Sequence, residues 1–228
     1  IAPIFVIGTI FIVLLSILPR FFFNFNTPNS GFYFENLINE KLPVLIVGGA
    51  GYIGMHVVEK LLSKGYKVKV FDKFSYGKEH MINLVNNNNL EIIEGDVSDL
   101  FKLTLALKNT QSIIHLAGLV GDPACAIDEK LTRHINIITT RMLKESAKAF
   151  KIPRFVFASS CSAYGSTEEI VNENSSLNPV SLYAKTKIDA EVELLGDPYD
   201  HFNPTILRFS TIYGHSPRMR FDLVANLF

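Results

Sequence analysis

The chain has 228 residues, and its 22 Lys and Arg balance its 22 Asp and Glu, so its formal net charge is zero. This length can bury one complete hydrophobic core and part of a second. The balanced charge argues against a nucleic-acid-binding protein, which would carry a basic surplus. Cys125 and Cys161 show neither metal-ligand spacing nor a disulfide framework, so we expect two reduced thiols and no metal.

The amino-terminal residues 1–18 contain no charge and are almost wholly apolar. Their length is near the lower limit for a membrane-spanning helix. Residues 1–23 therefore predict a membrane anchor with the rest of the chain on the cytoplasmic side, and the alternatives are a buried helix or a mistranslated upstream segment. Residues 24–41 are polar and rich in turn formers, which is typical of a linker. Because the chain starts at Ile1 and stops inside a helical pattern, we expect both ends to be cut.

Residues 42–228 alternate short apolar strands with amphipathic helices. The predicted strands are 44–47, 67–71, 90–94, 112–115, 154–158 and 204–207. A helix is predicted after the first strand, and further helices are predicted at 78–85, 100–107, 128–150 and 182–195. This alternation predicts an α/β fold, a doubly wound parallel sheet of the Rossmann type with helices on both faces.

The first strand runs into the sequence GGAGYIG at residues 48–54, and the first helix follows it. Strand, tight turn and helix form the context in which such glycines bind a dinucleotide. Gly48 would allow the sharp turn, Gly51 would let the backbone approach a pyrophosphate, and Gly54 would let the helix pack close to the sheet. The N–H groups at the start of the helix would then face the phosphates.

Asp72 closes the second strand and lies 24 residues after Gly48. This spacing is close to the offset of about 20 residues at which a carboxylate holds the adenosine ribose. A carboxylate at this place accepts both ribose hydroxyls and repels a 2′-phosphate, which favours NAD over NADP. The neighbouring Lys73 weakens that exclusion slightly, and a plain loop aspartate is the alternative.

Two further strand ends supply candidate cofactor contacts. Asp96 and Val97 follow the third strand and would meet the adenine edge, although a helix-capping aspartate is the alternative. Leu116, Ala117 and Gly118 end the fourth strand, where a cofactor would run along the edge of the sheet. An ordinary strand-to-loop turn is the alternative for these three residues.

Ser160, Tyr183 and Lys187 form a second constellation. Tyr183 and Lys187 are four residues apart on a predicted helix and therefore share one face. A lysine ammonium beside a phenol favours the phenolate and would lower the pKa of Tyr183. Such a phenol can exchange a proton with a substrate hydroxyl near neutral pH, while Ser160 hydrogen-bonds the same oxygen. An exposed helix pair is the alternative when these residues are considered alone.

Together these motifs resemble the extended short-chain dehydrogenase/reductases, and specifically the NAD-dependent nucleotide-sugar epimerase/dehydratase family. The resemblance covers residues 42–228 and includes further matches at Asn136, at residues 158–165 and at residues 207–214. It implies the catalytic residues Ser160, Tyr183 and Lys187. It implies that NAD is bound by Gly48, Gly51, Tyr52, Ile53, Gly54, Asp72, Asp96, Val97, Leu116, Ala117, Gly118, Asn136, Tyr183 and Lys187.

The resemblance also implies the reaction. Tyr183 as phenolate would remove a sugar hydroxyl proton while hydride passes to NAD, and the resulting keto-sugar would be reduced on its other face. Dehydratases of the family follow the active-site threonine with an Asp-Glu pair, but this chain has Cys161 and Ser162. We therefore expect a nucleotide-sugar epimerase, with a dehydratase, reductase or decarboxylase of the same fold as alternatives.

A non-catalytic, membrane-tethered NAD-binding protein is a further alternative, and the intact Ser160, Tyr183 and Lys187 argue against it. Ser160 does not stand in a Gly-x-Ser-x-Gly elbow, which disfavours a serine hydrolase. The family pairs its two long helices in a homodimer, and it has a small carboxy-terminal substrate domain that would be mostly absent from this chain. In that region Arg218 or Arg220 would meet a diphosphate, or lie on the surface.

Overall fold

The computed structural model describes residues 4–7, 42–196, 201–223 and 226. Its strands are β1 (Ile4–Ile7), β2 (Val44–Val47), β3 (Val68–Asp72), β4 (Leu90–Glu94), β5 (Ser112–His115), β6 (Arg154–Ser160) and β7 (Asn203–Phe209). Its helices are α1 (Tyr52–Ser63), α2 (Leu100–Leu107), α3 (Asp122–Ile127), α4 (Glu129–Arg133), α5 (Thr139–Ala149) and α6 (Leu182–Leu195). A π-helical turn, His134–Ile138, joins α4 to α5.

The strands form one sheet in the order β1-β7-β6-β5-β2-β3-β4, and every pairing is parallel. The central strand β2 is buried along its whole length and contributes side chains to two hydrophobic cores. Val44 and Ile46 pack on one side of the sheet, while Leu45 and Val47 pack on the other. This period-two alternation with both faces buried is typical of a sheet covered by helices on each side, so the predicted fold class is confirmed.

Most of the predicted elements are confirmed. β2, β4, β5, α2 and α6 have the predicted bounds, and the remaining predicted strands differ by one or two residues at their ends. The predicted helix at 78–85 is wrong, because only a 3-10 turn, Glu79–Met81, forms there. In that segment Met81 is buried whereas Ile82 and Val85 are exposed, so no apolar stripe holds a full helix against the sheet.

The long predicted helix at 128–150 is divided in the structure. It consists of α4, the π-helical turn and α5, and the separate helix α3 precedes it. The sequence does not predict α3, because its six residues carry no helical periodicity of apolar side chains. The periodicity of apolar residues does not predict the π-helical turn either, because one inserted residue shifts the helix face without changing the composition.

The amino-terminal apolar segment is described only at Ile4–Ile7, which form β1 beside β7. A membrane-spanning helix through these four residues is therefore wrong. Ile, Phe and Val favour strands, and the edge of β7 offers unpaired backbone groups. The remainder of the predicted anchor and the whole predicted linker lie outside the described residues. Within the described part of the chain, no helix combines the length and the apolar character needed to cross a bilayer.

A buried ion pair fastens α6 to the sheet. Glu191 of α6 pairs with Arg208 of β7, with 2.6 Å between Oε2 and Nη2, and both side chains are almost fully buried. Ser159 of β6 donates a hydrogen bond to Glu191, and Arg208 donates one to the Tyr164 hydroxyl at 2.8 Å. Burial alone would lower the pKa of Arg208, but the hydrogen bonds with Glu191 and Tyr164 raise it above its usual range. The pair therefore fixes the position of the helix that carries Tyr183 and Lys187.

We expect Glu191→Gln to destabilise the fold. The substitution removes the carboxylate that balances the buried charge of Arg208, which lowers the free energy of unfolding by about 3–5 kcal/mol. Urea denaturation measures this loss. Glu193→Gln is the matched control, because Glu193 lies on the same helix and pairs with Arg141 near the surface. Equal destabilisation by both variants would contradict the structural role of the buried pair.

Candidate functional site

The glycine loop needs glycine at two positions for reasons within the protein itself. Gly48 has φ of +84°, and a Cβ there would lie 2.6 Å from the Ala117 backbone nitrogen. A Cβ on Gly54 would lie 2.6 Å from the Gly49 carbonyl oxygen, so α1 packs directly on the loop. The predicted roles of Gly48 in a tight turn and of Gly54 in close helix packing therefore fit the observed geometry.

Gly51 differs from those two glycines. It has an ordinary extended backbone, and a Cβ there would meet only the Gly48 carbonyl oxygen, at 3.2 Å. The fold alone therefore gives little reason for a glycine at this place. In a dinucleotide-binding loop, a Cβ at this place would obstruct the approach of a pyrophosphate to the backbone N–H groups at the start of α1. The loop fits a dinucleotide for this reason.

Asp72 stands beside the loop, as the motif predicts. Its carboxylate accepts hydrogen bonds from the Ala50 N–H at 3.0 Å and the Phe74 N–H at 2.9 Å. Both bonds tie the end of β3 to the glycine loop and place an anion at its side. Lys73 is directed away from this carboxylate, because its ammonium pairs with Asp96 at 2.8 Å.

Asp96 and Val97 lie at the end of β4, next to the end of β3 in the sheet. Asp96 accepts a hydrogen bond from the Ser98 N–H at 2.8 Å. Its hydrogen bond with Lys73 lowers its pKa. Val97 is half-buried against the core. The predicted contact of both residues with adenine stays a prediction.

Two residues at the start of α1 complete the loop. Tyr52 donates a hydrogen bond from its hydroxyl to the Gly214 carbonyl at 2.6 Å. Ile53 packs against the core on the same side of the sheet as Val44 and Ile46. Their side chains therefore serve the protein itself, and their predicted contacts with the cofactor stay predictions.

The end of β5 connects the glycine loop to the second constellation. The N–H groups of Leu116 and Ala117 both donate to the Val47 carbonyl, at 2.8 and 2.9 Å. A Cβ on Gly118 would lie 3.0 Å from Asn136 Oδ1 and 3.7 Å from Lys187 Nζ. A single short segment thus reaches from the mouth of the glycine loop to the lysine ammonium.

Lys187 is buried beneath the end of β6. Its ammonium donates to the Ala158 carbonyl at 2.8 Å and lies 4.8 Å from the centroid of the Phe157 ring. Burial lowers its pKa from 10.5 to about 8, and electrostatic interactions with Cys125 and Glu191 oppose this shift. At neutral pH the ammonium stays mostly protonated, with two N–H groups beyond the one held by Ala158.

Tyr183 lies on the same face of α6, with its ring centroid 5.8 Å from Lys187 Nζ. The predicted pKa shift is wrong in direction, because burial raises the pKa of Tyr183 to about 12. A hydrogen bond with Ser160 and the charge of Arg220 partly oppose that rise. Lys187 is directed at Ala158 rather than at the phenol. The residues gather as the sequence predicts, but the chain by itself holds a protonated phenol.

Asn136 positions α6 and the loop after β5. Its amide donates to the Leu119 carbonyl at 3.0 Å and to Thr186 Oγ1 at 3.0 Å, and its Oδ1 accepts from the Leu119 N–H at 2.9 Å. Thr186 in turn donates to the Tyr183 carbonyl at 2.8 Å. Because the protein uses both amide donors, Asn136 acts here as a positioning residue. A direct contact with the cofactor stays a prediction.

His115 has a role that the sequence does not predict. It ends β5 and is buried, and its Nε2 lies 3.0 Å from Thr140 Oγ1. Thr140 gives its own proton to the Asn136 carbonyl at 2.9 Å, so His115 Nε2 carries the proton of the shared bond. Burial lowers the pKa of His115 to about 3, which keeps the ring neutral beside Lys187. The centroids of the His115 and Phe157 rings lie 5.6 Å apart, and the Lys187 ammonium lies over the Phe157 ring.

Two other groups complete the surroundings. Both cysteines are free, as predicted, and burial raises the pKa of Cys125 and of Cys161. The sequence prediction also omits Glu191, although a signal is present. Tyr183, Lys187 and Glu191 follow one another at four-residue spacing, so an acidic residue continues the face that carries the pair. That position on a buried stripe indicates a paired carboxylate.

We expect Lys187→Met to be more stable than the wild type at pH 7, by an amount that shrinks as pH rises. The unfolded chain holds the lysine proton up to about pH 10.5 and the folded chain only to about pH 8. Wild-type stability therefore increases across this window, and the Met variant lacks that increase. Thermal unfolding of both proteins at pH 7 and pH 10 measures it. Lys185→Met, exposed on the same helix, is the control. A pH-independent difference would contradict the buried ammonium.

We expect Gly51→Val to abolish NAD binding while lowering the melting temperature less than Gly54→Ala does. The added Cβ has one tight contact within the protein, with the Gly48 carbonyl oxygen at 3.2 Å, but the side chain obstructs the close approach that the pyrophosphate requires. Isothermal titration calorimetry with NAD measures the loss. Gly54→Ala is the comparison variant, and it should lower the melting temperature because its Cβ meets backbone atoms. Unchanged NAD affinity in Gly51→Val would remove the loop from the cofactor site.

The sequence is similar to those of known enzymes. It is 34% identical over 175 residues to the UDP-glucose 4-epimerase of Rhizobium leguminosarum bv. trifolii, covering 75% of this chain and 52% of the relative. It is 30% identical over 182 residues to the human decarboxylating sterol-4-alpha-carboxylate 3-dehydrogenase, covering 77% of this chain and 46% of that relative. The chain thus spans about half the length of the curated relatives it matches.

The fold is also that of solved relatives. The structure of MoeE5 in complex with UDP-glucose and NAD superposes with a TM-score of 0.69 at 30% identity, covering 81% of this chain and 59% of that one. A model of the NAD dependent epimerase/dehydratase family matches residues 44–226. This match includes the glycine loop, the ends of the central strands and α6. The resemblance found in the sequence is therefore confirmed, and the chain belongs to the NAD-dependent epimerase/dehydratase family.

Proposed function

We propose that this protein is an NAD-dependent nucleotide-sugar 4-epimerase. One observation carries the proposal: the glycine loop, the segment after β5 and Lys187 form a continuous series of close approaches. Gly48 abuts Ala117, and Gly118 lies beside Lys187 Nζ. A dinucleotide seated with its pyrophosphate at the loop would extend its other end along this segment toward Tyr183. The cofactor and the proton-transfer groups then share one site.

The chain's own groups have distinct tasks in this reaction. Ser160 hydrogen-bonds Tyr183 and orients its hydroxyl toward the sugar. Lys187 has two N–H groups left after its bond to Ala158, which suit the hydroxyls of a ribose. NAD, when bound, supplies the hydride acceptor and a positive charge close to the phenol. Beside that charge Tyr183 would first lose its own proton to solvent; the phenolate would then take the proton of the sugar hydroxyl and return it after the sugar has presented its other face.

Because the pKa of Tyr183 is high, proton removal by this residue depends on the cofactor. At a pKa of about 12 the phenol is protonated at neutral pH. Removal of a substrate proton therefore requires nearby positive charge beyond that of Lys187. The charge of Arg220 lowers the pKa of Tyr183, and the positive charge of oxidised NAD would lower it further. We expect proton abstraction to occur only while the oxidised cofactor is in place.

The groups after Ser160 support an epimerase over a dehydratase. Elimination of water needs an acid beside the reacting carbon, but the next residues are Cys161 and Ser162. Burial raises the pKa of Cys161, so its thiol stays protonated and is a weak acid at neutral pH. Ser162 donates its hydroxyl to Ser160 at 2.9 Å and is engaged in holding that side chain.

The similarity to UDP-glucose 4-epimerase supports UDP-hexoses as the first substrates to test. The similarity to the decarboxylating sterol dehydrogenase supports a second candidate, a net oxidation that releases NADH. The two functions differ in a simple observable. An epimerase recycles its cofactor and yields no net NADH, whereas the dehydrogenase produces one NADH per turnover.

We also propose that the protein is a homodimer. α6 and the helices before it carry exposed apolar side chains at Leu131, Ile138 and Val192. Burial of these side chains against a second copy would remove apolar surface from water. Light scattering of the purified protein measures the mass of the particle, and a monomer at micromolar concentration would contradict this proposal.

We expect Tyr183→Phe to reduce epimerisation of UDP-glucose by about 10²–10⁴-fold while NAD affinity is retained. The phenol carries the proton, but the glycine loop and Asp72 hold the cofactor. The assay follows UDP-galactose formation by the purified protein. Tyr66→Phe is the control, because Tyr66 precedes β3 at the opposite edge of the sheet from the site. Full activity in Tyr183→Phe would remove Tyr183 from catalysis.

A further inference from the structure

The segment after β7 runs across the site and is held at several points. We call residues 214–222 the strap. Tyr52 donates its hydroxyl to the Gly214 carbonyl at 2.6 Å, and the buried Ser216 donates to the Tyr52 carbonyl at 2.8 Å. His56 Nε2 lies 2.9 Å from the His215 carbonyl. These bonds dock one end of the strap on the first turns of α1, next to the glycine loop.

Asn226 fixes the shape of the strap. It accepts a hydrogen bond from the Gly214 N–H at 2.8 Å and donates one to the Arg220 carbonyl at 2.8 Å. It also lies within 3.3 Å of the Tyr52 hydroxyl. One side chain therefore joins both ends of the strap to α1. The intervening residues are held as a folded loop that carries Arg218 and Arg220.

The first of these arginines reaches the ribose side of the site. The Arg218 guanidinium lies 3.7 Å from the centroid of the Tyr76 ring. Tyr76 follows Asp72 by four residues, in the segment that the Asp72 carboxylate ties to the loop through Phe74. His80, in the same segment, lies 2.9 Å from the Ala50 carbonyl. The Tyr76 segment therefore forms a wall beside the predicted adenosine end.

The second arginine is paired within the strap. Arg220 donates two hydrogen bonds to the Asp222 carboxylate, and the one from its Nε is 3.1 Å long. The hydrogen bond with Asp222 is the main cause that raises the pKa of Arg220. Arg220 therefore helps to hold the fold of the strap, and Arg218 makes its contact with Tyr76.

Two landmarks of the dinucleotide path thus meet one segment: Tyr52 at the pyrophosphate loop and Tyr76 at the ribose end. The strap follows β7 but reaches a residue that follows β3, and β6, β5 and β2 separate these two strands in the sheet. The strap therefore crosses the carboxyl edge of the sheet, along which a dinucleotide would lie. We propose that the strap encloses bound NAD, and that the stack of Arg218 on Tyr76 is the contact that opens when the cofactor leaves. This proposal rests on NAD as the cofactor of the proposed function and not on the identity of the sugar.

The stack is suited to this role because it is exposed and separate from the core. Tyr76 is 75% exposed, so its removal leaves the packing of the sheet intact. Contacts of a guanidinium with an exposed aromatic ring are weak enough to open rapidly, yet strong enough to slow ligand escape. The hydrogen bonds of Tyr52 and Ser216 would meanwhile keep the first end of the strap attached to α1.

The test measures NADH dissociation from the full chain. NADH is bound, excess NAD is added, and the loss of NADH fluorescence is followed in a stopped-flow instrument. We expect Tyr76→Ala and Arg218→Ala each to raise the dissociation rate about two- to fivefold. Tyr76→Phe keeps the ring and should keep the wild-type rate. The double variant should dissociate no faster than the single variants, because both remove the same contact.

Arg141→Ala is the matched control for loss of charge. It removes an arginine from a surface pair with Glu193 and should leave the NADH dissociation rate unchanged. Unchanged rates in Tyr76→Ala and Arg218→Ala would overturn the proposal, as would additive effects or a Tyr76→Phe rate equal to that of Tyr76→Ala.

The substrate diphosphate is the competing role for Arg218. An unchanged NADH rate with a raised KM for UDP-glucose in Arg218→Ala would overturn the proposal and assign Arg218 to that diphosphate. No sugar is present in the NADH assay, so failure of the epimerase proposal leaves this test unaffected.

Discussion

The parallel sheet is the constraint on which the rest of the structure depends. Because all its strands run in one direction, their carboxyl ends lie at one edge, and each end contributes a different group. β2 leads into the glycine loop, β3 ends at Asp72, β5 at His115, and β6 at Ser160. An antiparallel neighbour would send one of these groups to the opposite edge. The site is thus a consequence of strand direction before any side chain is considered.

Burial then sets the chemistry of the groups gathered at this edge. Lys187 and Tyr183 lie in an environment that disfavours charge on either side chain, which lowers the pKa of the first and raises that of the second. The buried ion pair of Glu191 and Arg208 holds their helix in place. The proposed proton carrier, Tyr183, is therefore held in place without being made basic. In the proposed mechanism, the charge that activates it would come from the bound cofactor.

Much of the fold and part of the site could be predicted from the sequence. Strong local patterns predict the central strands, and glycine spacing predicts the loop, because both depend on a few neighbouring residues. The direction of the Tyr183 pKa shift could not be predicted, since it depends on burial and on the Ala158 carbonyl that engages Lys187. The roles of His115 and Arg208 likewise depend on partners distant in sequence. The π-helical turn within residues 128–150 could not be predicted either, because periodicity does not register one inserted residue.

We propose that the glycine loop and Tyr183 serve a single bound dinucleotide. A crystal structure of the protein with NAD bound would show whether they do. We expect a pyrophosphate in front of Gly51, the adenosine ribose on Asp72 and the nicotinamide ring beside Gly118 with C4 close to the Tyr183 hydroxyl. A nicotinamide ring directed away from Tyr183, or a dinucleotide bound elsewhere on the chain, would contradict this claim.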